Sequence, residues 1–302
     1  MSTISVSAQR RSLGKSGIHV SRLAWGMWRF KGQPDEARAL VDAALDIGIT
    51  LFDTADIYGF GEAGFGAAEA LFGELLAQDK RLRDRIVLAT KGGITPPVPY
   101  DSSPAYLEQA IDASLKRLRT DRIDLYQIHR PDILAHPHEV ARAVEKAHTR
   151  GKVHAFGVSN YTPAQISALR SVLPRDLPLS TTQPEFSALH LQPIEDGQLD
   201  QAIELNLAVL AWSPLGGGRI ASPTNAREQA VAQALDAVAG EFDVSRTAAA
   251  YSWVMAHPAG VIPIVGSQRA ERIREAADAF RISWTREAWY KVLVASRGEP
   301  LP

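Results

Sequence analysis

Short apolar runs alternate with amphipathic stretches along almost the whole chain, and eight such pairs can be counted. A short apolar run bounded by turn residues predicts a buried strand, whereas apolar residues at i, i+3 and i+4 predict a helix with one face on a core. The first strand is predicted within HVSRLAWGMW (19–28), followed by a helix from Gln33 to Ile47 in which Ala37, Leu40, Val41, Ala44 and Leu45 share a face. TLFDTAD (50–56) pairs with a helix over Ala67–Gln78, and RIVLATKGG (85–93) with one over Pro104–Leu118. Ser103 suits the cap of that helix and Pro104 its first turn, where a missing N–H costs nothing. IDLYQIH (123–129) precedes a helix at Glu139–Thr149, VHAFGVSN (153–160) one at Ala164–Leu173, and LSTTQPEFS (179–187) one at Leu199–Leu205. AVLAWSPL (208–215) leads into helical stretches from Arg227 to His257, and GVIPIVGS (260–267) into Glu271–Ala279. A last apolar helix is predicted at about Arg286–Ser296.

Strands that alternate with helices build α/β folds with parallel sheets, because a parallel connection needs a crossover. Eight units without an internal linker predict a (β/α)8 TIM barrel with an extra C-terminal helix, in one domain spanning residues 1–302. The chemistry of such a barrel sits on the loops after its strands. The Gly/Pro-rich stretches 92–99 and 216–223 fall there.

Composition narrows the function. Hydrophobic residues make up 45% and charged residues 22%, the balance of an ordinary folded domain. A formal net charge of -1, with no long block of like charges, argues against nucleic acid or a membrane surface as partner and for a small molecule. The absence of cysteine excludes disulfides, thiolate zinc sites, iron–sulfur clusters and cysteine nucleophiles. The opening MSTISVSAQRRSLGKSG has no apolar signal core, and no run approaches the ~18 apolar residues of a membrane span, so a cytoplasmic protein is expected. The sequence leaves the oligomeric state open.

Polar residues that end apolar strands would be presented at the barrel mouth. Asp53 follows Leu51, Lys91 follows Val87 and Ala89, and His129 follows Ile123 and Leu125 at the same strand parity; Tyr58 lies five residues past Asp53. Singly, a strand-end Asp is more often a cap, a Lys solvated, and a His or Tyr a packing group. Together, from consecutive strands, they form a constellation. A phenol can deliver a proton to a developing alkoxide if its pKa is brought down from ~10. Lys91 is expected to do so electrostatically, Asp53 to hold the ammonium, and His129 to hydrogen-bond a substrate oxygen. This chemistry suits hydride transfer to a carbonyl group.

Two motifs are set aside. Gly59, Gly61 and Gly64 match GxGxxG, but Asp56, Ile57 and Tyr58 separate them from the strand, unlike a Rossmann turn. His136 and His138 form an HxH pair with no third ligand at an informative spacing, so no metal is expected.

The chain resembles the aldo-keto reductase family, most closely its bacterial YdhF-type members, over nearly its whole length. LFDTADIYG, LATKGG, LYQIHRPD, GVSNYTP, TTQPEFS, AWSPLGGG and PIVGSQRAERIREA carry the similarity, in the family's order. The resemblance implies a catalytic tetrad of Asp53, Tyr58, Lys91 and His129, with Tyr58 and His129 also touching substrate. It implies that Ser159, Asn160 and Gln183 hold the nicotinamide carboxamide and that Trp212 stacks on the ring. Ser213, Pro214, Leu215 and Gly216 would line the pyrophosphate path, where bare glycine backbone lets N–H groups approach phosphate. Gly266, Ser267, Gln268 and Arg272 match the segment that binds the 2′-phosphate, favouring NADP(H) over NAD(H). Gly26 and Met27 would lie near the nicotinamide, and Trp28 would wall the substrate pocket. Two departures stand out: Ala276 occupies the position where many members place an adenine-contacting Asn, and the loop after strand seven is short. The resemblance leaves the carbonyl substrate open among aldehydes, ketones, sugars and quinones. It also admits a regulatory module that keeps fold and cofactor with little turnover.

Overall fold

The computed structural model describes residues 3–302. Its centre is a closed barrel of eight parallel strands: β1 (Ala24–Gly26), β2 (Leu51–Asp53), β3 (Val87–Gly92), β4 (Ile123–Ile128), β5 (Val153–Ser159), β6 (Leu179–Gln183), β7 (Ala208–Ala211) and β8 (Ile262–Val265). The ring closes where β8 pairs with β1, Ile264 opposite Ala24 and Val265 opposite Trp25. The structure therefore has the expected TIM-barrel architecture, with helices surrounding the strands.

Strand alternation sorts side chains to two cores. Ala24, Leu51, Ala89, Leu125, Ala155, Leu210 and Ile262 fill the barrel interior, while Trp25, Phe52, Leu88, Tyr126, Phe156 and Val209 pack outward under the helices. Sequence caps set where several helices begin. Ser103, Thr162, Asn225, Ser245 and Thr285 each accept an amide hydrogen bond at a helix start. Proline takes an early position in the helices Pro34–Asp46, Pro104–Leu118, Pro137–Thr149 and Pro163–Arg170.

The single strand expected within 19–28 is two. His19–Val20 pairs with Arg11–Ser12 in an antiparallel hairpin, and only Ala24–Gly26 enters the barrel. The hairpin buries Leu13 and Val20 among the interior residues and closes the floor of the barrel. Gly14, at its tip with φ +58°, is required there: a Cβ would stand 2.2 Å from the Ser180 carbonyl oxygen. A second antiparallel pair joins Thr3–Ser5 to Ser283–Thr285, just before the terminal helix Arg286–Arg297. The helical stretches expected from Arg227 to His257 are the two helices Ala226–Glu241 and Arg246–Met255, separated where Asp243 turns to φ +48° and Ser245 caps a new start. Lys80–Arg85 adds a short helix before β3. Among the described residues no helix is long and apolar enough to cross a membrane.

Candidate active site

Strand parity carries three polar side chains to the mouth. Leu51, Ala89 and Leu125 point inward, so Asp53, Lys91 and Gln127, two residues on, also point inward at the upper end. His129 follows the end of β4, its amide bound to the Gly92 carbonyl at 2.8 Å. Tyr58 is brought over by a tight turn after β2, in which its amide bonds to the Ala55 carbonyl at 3.2 Å.

Lys91 uses all three ammonium donors: Asp53 Oδ2 at 2.6 Å, the Thr54 carbonyl at 2.8 Å and the Tyr58 hydroxyl at 3.3 Å. The Asp53 and Lys91 side chains are almost completely buried. The second Asp53 oxygen, Oδ1, accepts from Gln183 Nε2 at 3.1 Å and Gln127 Nε2 at 3.4 Å, and Gln127 Oε1 accepts from Thr181 at 3.0 Å. Both carboxylate oxygens are thus satisfied, which a buried charge requires. Gly157 makes room for this chain of contacts, since a Cβ there would stand 1.8 Å from Thr181 Oγ1.

The electrostatics separate the roles. Burial by itself would discharge Lys91, but Asp53 and the Tyr58 phenol outweigh it and the ammonium is held above its ordinary range. Burial raises the Tyr58 phenol, and the opposing pull of Lys91 does not overcome it. The expectation that Lys91 leaves this phenol below its ordinary value is therefore not met. The desolvation of the hydroxyl is the larger effect, and it keeps the proton on Tyr58. Burial, with the charges of Lys91 and Arg130, pushes His129 well below the usual histidine range, so its imidazole is neutral. The rings of Tyr58 and His129 meet edge to face at 5.7 Å. The arrangement holds a protonated phenol on a fixed ammonium beside a neutral imidazole, which is the equipment for giving a proton to an oxygen.

The other expected residues form a collar. Ser159 donates to the Gln183 carbonyl at 2.8 Å; Asn160, at φ +61°, donates to the His129 carbonyl at 3.1 Å and to Ser159 Oγ at 2.8 Å. Trp212 donates its indole N–H to Asn160 Oδ1 at 3.0 Å, while the Arg130 guanidinium sits 5.8 Å from its ring centroid. After β7, Ser213 adopts φ +48° and Gly216, Gly217 and Gly218 all have positive φ in a 3-10 turn, with Pro214 and Gly216 buried and Leu215 partly so. The triplet is thus an ordered turn. At the end of β8, Gln268 donates to the Gly26 carbonyl at 3.3 Å and the Ser267 carbonyl accepts from Trp25 at 3.1 Å. Gly266 and Arg272 are exposed, and Arg272 makes no ion pair among the described residues, although Arg269 and Arg274 each make one.

Met27, Ala276 and Trp28 lie outside this network of contacts. Met27 is buried in the outer core, so it offers the mouth only backbone. Ala276 is fully buried and offers no side chain to a ligand. Trp28 is 65% exposed beside the Arg29 guanidinium, at the outer edge of the mouth. Sequence reasoning passed over Gln127 and Thr181, which hold Asp53; the only signal was that Gln127 shares the inward parity of His129. His136 caps the helix Pro137–Thr149 by accepting the His138 amide at 3.3 Å, a structural role for the HxH pair.

Residues 22–292 match the model of the aldo/keto reductase family. The 6-dehydroglucose reductase of Novosphingobium aromaticivorans is 60% identical over 306 aligned residues, covering 100% of both chains. The oxidoreductase YdhF of Escherichia coli is 38% identical, over 97% of this chain and 99% of that protein. A crystal structure of the thermostable aldo-keto reductase Tm1743 with the inhibitor epalrestat superposes with a TM-score of 0.83 at 23% identity, covering 95% of this chain and 99% of that one, a likeness of fold. With a matching family model and full-length relatives on either side of it, this chain belongs to the aldo/keto reductase family.

Proposed function

We propose that the protein is an NADP(H)-dependent reductase that converts an aldehyde to an alcohol, with Tyr58 as proton donor, and that its substrate is a hexose oxidised to the aldehyde at carbon six. The observation that carries the chemistry is the Tyr58 hydroxyl resting on a buried Lys91–Asp53 pair beside a neutral His129. The substrate class comes from the 60% identical relative named 6-dehydroglucose reductase, and a second protein of that name, from Agrobacterium fabrum, is 36% identical.

The residues present fit a nicotinamide dinucleotide. Gln268 Oε1 is buried without a protein partner, and Gly216–Gly218, all at positive φ, present bare backbone in the turn. Ser159, Asn160 and Gln183 would hold the carboxamide, Trp212 the ring, and Ser213–Gly216 the pyrophosphate. The exposed Arg272, with Gly266, Ser267 and Gln268, would take the 2′-phosphate, since guanidinium matches phosphate geometry. Gly26 and Met27 would flank the nicotinamide through their backbone, and Trp28 would close the substrate side. When bound, the nicotinamide supplies the hydride.

His129 donates a hydrogen bond to the carbonyl oxygen and polarises it. Tyr58 gives its proton to that oxygen as negative charge develops there, and Lys91 stabilises the phenolate left behind. Asp53 fixes Lys91 through the transfer, and Gln183 and Gln127 fix Asp53. A cytoplasmic location, with access to the nicotinamide pool, belongs to the same proposal.

The test is NADPH oxidation followed by absorbance, with 6-dehydroglucose and a panel of other aldehydes and ketones, on wild type and Tyr58→Phe. Tyr58→Phe should bind NADPH normally and lose roughly 10²- to 10⁴-fold in turnover, the usual worth of a positioned acid. Equal turnover in both proteins would remove the proton-donor role. Binding of NADPH without turnover on any carbonyl would remove the reductase.

A further inference from the structure

On the helix side of β3 the structure buries a second carboxyl, which the chemistry above does not use. Asp56 is 1% exposed, and neither of its carboxyl oxygens makes a well-aligned hydrogen bond, the polar group beside them being the amide of Ile57. Tyr126 of β4 is also completely buried, and its hydroxyl is without a partner. The two meet at Gly92, the last residue of β3: a Cβ there would stand 2.1 Å from the Tyr126 hydroxyl and 3.1 Å from Asp56 Oδ2. That strand end is bare backbone because these two groups occupy its side-chain space. Asp56 also lies between two parts of the candidate active site. Its amide donates to the Lys91 carbonyl at 3.0 Å, and the turn holding Tyr58 begins at its neighbour Ala55.

The groups facing this carboxyl come from four elements. Glu69 projects from the helix Ala67–Gln78, where it accepts from Thr90 at 2.5 Å and from Arg117 at 2.7 Å. Arg117 and Tyr106 come from the helix Pro104–Leu118, Lys91 from β3 and Tyr126 from β4. Burial first, and then the charge of Glu69, push Asp56 up to about 8 against the pulls of Arg117, the neighbouring Ile57 amide and Lys91. At neutral pH it is an uncharged acid.

We propose that Asp56 is a positioning residue for Tyr58 that works as the neutral carboxylic acid: uncharged, it packs the Tyr58 turn on β3 and leaves Lys91 to Asp53 and the phenol. Ionised, it acts against both. A carboxylate facing Glu69 in a dry pocket is repelled toward water, which lifts the turn. A new negative charge behind Lys91 also disfavours the phenolate that Tyr58 becomes after giving its proton. Both effects lower turnover as Asp56 loses its proton, in either direction of the reaction. The inference rests on the assignment of Tyr58 as proton donor.

Two measurements test it. The first uses the cofactor-free protein. Because Asp56 is protonated in the folded chain and ionised in the unfolded one between about pH 4 and 8, unfolding releases one extra proton and stability falls as pH rises through this window. Asp56→Asn should lack that proton when urea midpoints are compared across pH, and an identical pH dependence in both proteins overturns the proposal. The second is kcat against pH at saturating NADPH and aldehyde, each protein scaled to its own plateau. Wild type should fall with a midpoint near pH 8, well below the Tyr58 phenol, and Asp56→Asn should not. Glu69→Gln, which removes the charge that holds Asp56 up, should move the midpoint to lower pH and decides the matter if Asp56→Asn does not fold. A fall unchanged in Asp56→Asn, or moved upward in Glu69→Gln, overturns the positioning role while leaving the reductase intact. No turnover in wild type is instead the failure of the reductase assignment.

Discussion

Replacing Lys91 by Met should cost more stability than replacing Lys91 and Asp53 together. The ammonium and carboxylate are 2.6 Å apart and both side chains are almost fully buried. At an effective dielectric near 20 their attraction is about 6 kcal/mol, offset in the wild type by the cost of taking both ions out of water. Lys91→Met removes the attraction and leaves Asp53 with only the Gln127 and Gln183 amides, so about 3–5 kcal/mol should be lost, the usual result of breaking a buried pair from one side. Adding Asp53→Asn removes the stranded charge while keeping an oxygen for those amides. The double variant should recover about 2–3 kcal/mol of the loss, because replacing both members of a buried pair is often close to neutral. Neither variant should turn over aldehyde. Urea unfolding of the cofactor-free proteins at pH 7, followed by the fluorescence of the buried Trp25, Trp253 and Trp284, measures each difference. A double variant no more stable than Lys91→Met, or a single variant within about 1 kcal/mol of wild type, would show that the pair is not coupled as its geometry requires.

The remaining predictions concern the histidine and the cofactor. His129 is neutral well below pH 6.5, and protonation as pH falls would leave it a cation beside Lys91 and Arg130, so kcat should be flat between pH 7 and 6. A decline centred at the ordinary histidine value, absent from His129→Gln, would contradict this. Arg272→Ala should weaken NADPH binding by about 1.5–3 kcal/mol, the range for a lost hydrogen bond to a charged group, and leave NADH unchanged. Equal losses for both cofactors in fluorescence titrations would remove the 2′-phosphate role.

The residues that proved legible in the sequence follow a strict period. Val87, Ala89 and Lys91 fall on one face because a strand alternates every residue, so an apolar row ending in a charge announces the mouth. The helices Ala67–Gln78 and Pro104–Leu118 start and stop where the sequence indicates, since apolar spacing and the Ser103–Pro104 cap agree. The floor hairpin was hidden because its strands are two residues each and its Leu13 belongs to no apolar run. Gln127 and Thr181 were passed over because an amide or hydroxyl inside a strand looks like any half-buried polar residue until Asp53 is beside it. The direction of the Tyr58 shift was missed for a different reason. Sequence names the neighbouring charge, Lys91, but depth decides the outcome, and depth is a property of the folded chain.

The seam between β8 and β1 has a consequence for synthesis. Ile264 pairs with Ala24, so the ring cannot close until nearly the whole chain has left the ribosome. Asp53, Tyr58, Lys91 and His129 all emerge in the first half, on or just after strands that pair with their neighbours in sequence, while the outer edge of β1 waits for β8. Contacts so distant in sequence are slow to form, and open strand edges invite pairing with other chains. The nascent protein therefore spends its exposed interval with its proposed catalytic residues already made and its barrel open, and substitutions that weaken the β8–β1 junction should lower the yield of folded protein before they alter its chemistry.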